Sequence, residues 1–323
     1  MPLEETDMLK RLIALLLCLI PFSTAGALEL SDEDFAFWYD QMAYLVEEIG
    51  TRTVGNPEER DAYDYICSLF EEFGFSEDDG TLTESYCVAE EWTVEESTSI
   101  IAVKPALNPD PQIITICAHY DSLSPGARDN SSGIAAMLTL CKLFSQYDSF
   151  PDTELRFIAF SAEETGHQGS LSYCGELTSD ERDRTVAVFN LDILVTGNDE
   201  PGQVLSLDTL GMCTPDGYRN GSPDDPKVNL AARAMLDAMA PAFPPEEEGI
   251  TWSGVRHLGM SDHESFHYYH MDAVNVCFRG STAEGGAWTS YMHSENDNLT
   301  NLDLPRSRDA LDAVYTAVEG LCR

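Results

Sequence analysis

Between residues 113 and 191 the chain alternates near-continuous apolar segments with helical ones, and this pattern restricts the possible folds more than any other feature. "IITICA" (113–118) reads as a strand and "SSGIAAMLTLCKLFSQY" (131–147) as a helix. Residues 155–161 follow as a strand, 170–177 as the start of a helix and 186–191 as a strand. Strands apolar on both faces and joined by helices are those of a largely parallel sheet covered on each side. The expectation is an α/β fold, three layers α/β/α about a mostly parallel, mixed central sheet. In such sheets ligands gather outside the carboxyl ends of the strands.

Upstream, Ser31 or Asp32 can cap a helix running to about residue 48, and 58–73 carries apolar residues at helical spacing. These two helices are expected to cover one side of the sheet. Residues 99–103 and 113–117 are β-rich and separated by the proline-laden "KPALNPDPQ", which predicts neighbouring strands. Residues 273–278 predict a further strand, and 199–226, with Gly and Pro at turn-like spacing, is the longest irregular stretch. No internal repeat or low-complexity linker interrupts the chain, so 28–323 is expected to be a single domain.

Residues 8–27, "MLKRLIALLLCLIPFSTAGA", have the layout of a secretory signal peptide: Lys10 and Arg11, a short apolar run, then small residues. Residues 1–27 are therefore expected to be removed, giving a secreted or extracytoplasmic protein with no stable membrane insertion. The formal charge of −39 becomes −38 without that segment, since three acids and two bases leave with it. Such a surface excludes nucleic acid as a partner. Of nine cysteines Cys18 goes with the signal; Cys117, Cys141 and Cys277 lie in apolar elements as buried thiols, while Cys67, Cys87, Cys174, Cys213 and Cys322 are the better bridge candidates. No C-x-x-C pair exists to suggest a cysteine zinc site.

Polar residues stand at the strand ends: His119 to Asp121 after the first, Glu163 and Glu164 after the second, Asp192 after the third. Asp129 sits in the loop before the next helix, and His293 follows the strand 273–278 and a Gly-rich loop. Imidazole and carboxylate delivered to one rim suit zinc with an open coordination position. A second candidate competes with this set, because "HESFH" (263–267) matches the H-E-x-x-H of zinc metalloproteases. That motif requires a sustained helix and a third ligand downstream, yet strand character begins at residue 273. Four of the seven histidines fall between His257 and His270, so a chance match is cheap. "SDHESF" is read instead as a loop and short helix start with Ser261 or Asp262 as cap; Asp262 and His263 lie near the substrate pocket, and His267 and His270 are structural or exposed.

"AHYDS", "ARDNSSGIAAM", "FSAEETGHQGS", "NLD", "SDHESF" and "HSENDNL" occur in the order and approximate spacing of the zinc aminopeptidases of peptidase family M28, which the chain resembles. The same superfamily includes glutaminyl cyclases. The dense match covers about 113–194 and 261–302, with a weaker one at "TRTVGNPEERDAYDYI". The resemblance implies a zinc aminopeptidase-like fold and two zinc ions bridged by Asp129. His119 and Asp192 would complete the first site, and Glu164 and His293 the second. Asp121 would orient the His119 ring, and Glu163 would be the general base. Substrates would be peptides with a free N-terminus. Some members carry a tyrosine directly before the last histidine to steady the oxyanion; here Met292 is there and Tyr291 one place earlier, which leaves Tyr291 a substrate-binding candidate and the oxyanion donor open. The alternatives are a single-zinc glutaminyl-peptide cyclotransferase and a secreted, catalytically inactive binding protein; a serine hydrolase lacks its G-x-S-x-G elbow.

Overall fold

Strand residues that alternate between two apolar surroundings define the layers. In a computed structural model describing residues 28–89, 95–200, 202–209, 213–214, 217–218, 229–243, 254–256, 260–280 and 288–323, Ile114, Ile116 and Ala118 join the hydrophobic cluster on one face of the sheet. Cys117, between them, joins the cluster on the other. Leu155, Phe157 and Ala159 likewise face the first cluster, and Ile158 and Phe160 the second. This two-sided burial is why the strands read as continuous apolar runs rather than alternating ones. The signal peptide expected at 1–27 lies outside the described residues.

The strands are β1 (Leu82–Ala89), β2 (Glu95–Lys104), β3 (Gln112–His119), β4 (Thr153–Phe160), β5 (Thr185–Leu191), β6 (Gln203–Asp208), the two-residue β7 (Cys213–Thr214) and β8 (Gly217–Tyr218), β9 (Gly254–Arg256) and β10 (Ala273–Gly280). The described helices are α1 (Asp32–Tyr44), α2 (Pro57–Glu72), α3 (Ser132–Ser145), α4 (Gln168–Glu176), α5 (Ser179–Arg184), α6 (Leu230–Met239), α7 (His263–Tyr268) and α8 (Leu304–Cys322). Eight strands form one mixed sheet in the order β1-β2-β4-β3-β5-β10-β6-β9. β3 pairs in parallel with β4 and β5, and β10 in parallel with β5, so these four end on the same rim. Residues of α1, α2, α3, α6 and α8 pack on one face, where Trp38, Phe144 and Phe157 are fully buried. Each such aromatic contributes roughly 1.5–3 kcal/mol. The opposite face is covered by α4 and α7 through Tyr173, Cys174 and Phe266.

Helix starts follow local chemistry. Ser31 Oγ accepts from the Asp34 N–H at 3.1 Å, and Asn56 caps α2 by accepting from the Glu59 N–H at 2.8 Å. Both helices pack in the same cluster, as their spacing predicts.

Three expectations need correction. β2 and β3 are not neighbours, because β4 lies between them, antiparallel to β2 and parallel to β3; the β3–α3–β4 crossover returns the chain to the β2 side. The stretch 199–226 contains β6, buried along its whole length beside β10, a short strand hidden among flanking turn residues. Cys67, Cys87, Cys174 and Cys322 are free thiols. Cys174 packs on one face of the sheet, Cys67 and Cys322 on the other and Cys87 in a separate small cluster.

Candidate metal centre

The parallel strands deliver their polar residues to one point. His119 is the last residue of β3, Glu163 and Glu164 lie just past β4, and Asp192 directly follows β5. Asp129 comes from a π-helical turn (Ala127–Ser131) before α3, and His293 from the segment beyond β10. His119 Nε2 is 3.3 Å from Asp129 Oδ1 and 3.5 Å from Asp192 Oδ1. His293 Nε2 is 3.3 Å from the other Asp129 oxygen, Oδ2, and 2.9 Å from Glu164 Oε2. One carboxylate thus presents one oxygen to each of two imidazoles. Among the described residues, His119, Glu163 and Asp192 form one group able to hold a metal ion, and Asp129, Glu164 and His293 another.

These residues fit zinc. His119 Nε2, Glu164 Oε1 and Asp192 Oδ1 are buried without a hydrogen-bond partner, an arrangement that is costly unless a cation completes it. The His119 Nδ1 lies 3.1 Å from the Asp121 carbonyl oxygen, so Nδ1–H donates there, leaving Nε2, on the side of the carboxylates, as the atom that a metal could take in place of a proton. Burial pushes Glu163 up to about 8 and, with Asp129 adding to it, Glu164 up to about 7. Burial opposes the charge on Asp129, but His119 and His293 hold its pKa well below the ordinary value. Burial also opposes protonation of His119, which Glu163, Asp121, Asp129 and Asp192 outweigh. Asp129 and Glu164 raise His293 to about 10. Carboxylates outnumber cations in this small volume, the electrostatic condition for divalent-cation binding.

Asp121 does more than face the His119 ring, from which its Oδ1 is 3.6 Å. Its two oxygens accept from the Glu163 and Glu164 N–H groups, each at 3.1 Å, and so fix the backbone of both glutamates. Other positioning residues were not singled out from the sequence. Asp297, in "HSENDNL", accepts from the Arg128 N–H at 2.8 Å and the Asp129 N–H at 3.1 Å. Asn130 donates to the Leu191 carbonyl at 2.9 Å and accepts from the Gly133 N–H at 3.0 Å, tying the Asp129 turn to the end of β5. A Cβ on Gly133 would lie 2.1 Å from the Leu191 oxygen, so the helix can approach β5 only with glycine there. The buried Arg128 guanidinium lies 3.3 Å from Glu200 and 4.4 Å from the Tyr291 ring centroid. A buried Asp or Arg is the available signal for such roles, but burial is not local sequence information.

Of the substrate candidates, Asp262 and His263 are fully buried. Asp262 heads α7 without capping it, and its carboxyl, pushed up to about 6 by burial, interacts with His119 and His167. The Tyr291 hydroxyl donates to Asp199, so Tyr291 braces the His293 segment against Arg128 and Asp199.

The H-E-x-x-H match falls on a helix of only six residues. The His263 and His267 rings are 6.1 Å apart at 82°, and His267 Nε2–H donates to the Ala273 carbonyl at 3.0 Å. Neither belongs to a metal-binding group among the described residues, and His270 is exposed. Burial, then His263, lowers His267 from 6.5 to about 3. A neutral buried imidazole contributes stability that is complete above pH 6.5 and is lost as pH falls toward 3, because the unfolded chain takes up the proton first. His267→Gln, which keeps the donor and cannot titrate, should therefore lose stability less steeply than wild type from pH 6.5 down to roughly pH 4. Unfolding midpoints across that range check it; equal slopes would contradict a neutral His267.

The chain and its fold have relatives. A sequence model described as peptidase family M28 matches residues 99–318. Aminopeptidase YwaD of Bacillus subtilis (strain 168) is 32% identical over 231 residues, 70% of this chain and 45% of that protein. Leupeptin-inactivating enzyme 1 of Streptomyces exfoliatus is 26% identical over 290 residues, 84% of this chain and 58% of that protein. The chain spans about half the length of these curated relatives. A solved zinc aminopeptidase from Bacillus subtilis superposes with a TM-score of 0.71 at 19% identity, over 88% of this chain and 94% of the other. A glutaminyl cyclase from Bacteroides thetaiotaomicron gives 0.65 at 16%, over 91% and 99%. At these identities the structural likeness speaks for the fold.

Proposed function

Because this chain belongs to peptidase family M28, we propose that it is a zinc aminopeptidase that removes N-terminal residues from peptides. The observation that carries the reading is Asp129, whose two oxygens each lie 3.3 Å from a different histidine. His119, Asp129 and Asp192 would hold one zinc ion, and Asp129, Glu164 and His293 a second. Bound there, zinc supplies Lewis acidity, polarising the scissile carbonyl and acidifying the attacking water.

The chain's own residues do the rest. Glu163 is the general base: its Oε2 is 4.0 Å from His119 Nε2, farther than the carboxylates of Asp129 and Asp192, so it borders the ligand set and is free to carry a proton to the leaving amine. Asp121 holds the backbone that carries it. The acidic rim recognises a cationic α-amino group. With residues 1–27 as a signal peptide, the mature single-domain protein acts outside the cytoplasm; no described helix is long and apolar enough to cross a membrane.

The test compares an aminoacyl p-nitroanilide with its N-acetyl derivative on zinc-loaded protein. Acetylation removes the cationic anchor, so the acetylated compound should not be cleaved. Equal rates would replace this reading with an endopeptidase, and ammonia release from an N-terminal glutaminyl peptide would replace it with a cyclotransferase.

A further inference from the structure

The turn after β4 closes on itself, with the His167 N–H donating to the Glu163 carbonyl at 2.9 Å. His167 takes a left-handed conformation, φ 59° and ψ 31°, unfavourable for a residue with a Cβ and a recurrent feature of functional sites. Its carbonyl accepts from Ser170 Oγ at 3.1 Å and from the Leu171 N–H at 2.9 Å, which anchors the residue to the first turn of α4. In this conformation the half-buried imidazole places Nε2 3.4 Å from Glu163 Oε1. The other oxygen, Oε2, faces His119. Asp121 fixes only the backbone N–H of Glu163, leaving the rotatable side chain to be oriented by something else. Asp262 and Glu264 also act on the His167 ring, so its surroundings are acidic and favour a charged imidazolium; burial opposes this, and Glu163 outweighs burial, raising the pKa to about 9.

We propose that His167 is the positioning residue for Glu163, its Nε2 holding Oε1 so that Oε2 faces the metal groups. This rests on Glu163 being the general base. In the ligand assignment proposed above neither residue holds zinc, although Glu163 lies close enough to His119 and Asp192 to do so, and zinc content is therefore measured on every variant.

The experiment uses zinc-loaded protein, the fastest-cleaved aminoacyl p-nitroanilide, and the variants His167→Gly, His167→Gln, Glu163→Gln and His167→Gly/Glu163→Gln. Glycine removes the ring and relieves the positive φ, so a purely structural role predicts wild-type turnover in a protein at least as stable. Positioning predicts a kcat lower by about 10–100-fold with KM, zinc content and thermal midpoint held. Glutamine, which keeps an N–H donor of similar reach, should recover most of the loss. The double variant should be no slower than Glu163→Gln alone. If His167→Gly folds poorly, His167→Asn, which tolerates the same backbone, takes its place. Turnover within about twofold of wild type after loss of the ring, or full additivity in the double variant, overturns the proposal. A disabled Glu163→Gln beside an undisturbed His167→Gly removes this proposal alone; a fully active Glu163→Gln removes the base assignment and the proposal together.

Discussion

Glu163→Gln should keep its full zinc content and lose about 10²–10⁴-fold in kcat, with KM little changed, whereas Glu164→Gln should lose zinc. The residues are adjacent and chemically identical, and Asp121 holds both backbones in the same way. Their side chains then diverge: Glu164 Oε2 reaches to 2.9 Å from His293, while Glu163 lies between His167 and His119. An amide keeps the size of the carboxylate but is a poor proton acceptor and a weak zinc ligand, so the same substitution should fail in two ways. Metal analysis and steady-state kinetics on both variants decide it. Normal turnover in a fully metallated Glu163→Gln would rule that residue out as the base.

Asp129→Ala should empty both metal positions and abolish activity, since each histidine group draws one oxygen from this single carboxylate. If two ions are held as proposed, His293→Ala should cost only the one held with Glu164, lowering the zinc content from two to one. His267→Ala should retain both, because that ring is occupied with the Ala273 carbonyl. Zinc per protein chain after gel filtration distinguishes the three. Zinc lost with His267 and kept without His293 would return the metal to the H-E-x-x-H motif.

The layers and rim were legible in the sequence because they rest on short-range patterns. Apolar runs marked β3, β4 and β5, and the polar residues directly after them carried the site. Strand order was less legible: "KPALNPDPQ" looks like a hairpin turn, and only the later return of β4 shows that the two flanking strands are separated by another. β6 was obscured for a related reason, since its burial depends on β10, which lies far along the chain. In the candidate site, residue types able to bind a metal stand at strand ends where the sequence displays them, whereas Asp297, Asn130 and Arg128 act through partners distant in sequence. His167 was hidden differently, because its contact with Glu163 depends on a left-handed backbone that the identity of a histidine does not announce.

The candidate ligands are spread from residue 119 to residue 293 and meet only where four separate strand-end segments converge. An unfolded chain therefore holds no preassembled cluster for zinc to grip, and gathering the ligands from it would require several loops to be closed at once. Sheet pairing must come before metal capture. Zinc bound only by the assembled site would then act as a late lock on the sheet, slowing its opening rather than hastening its formation.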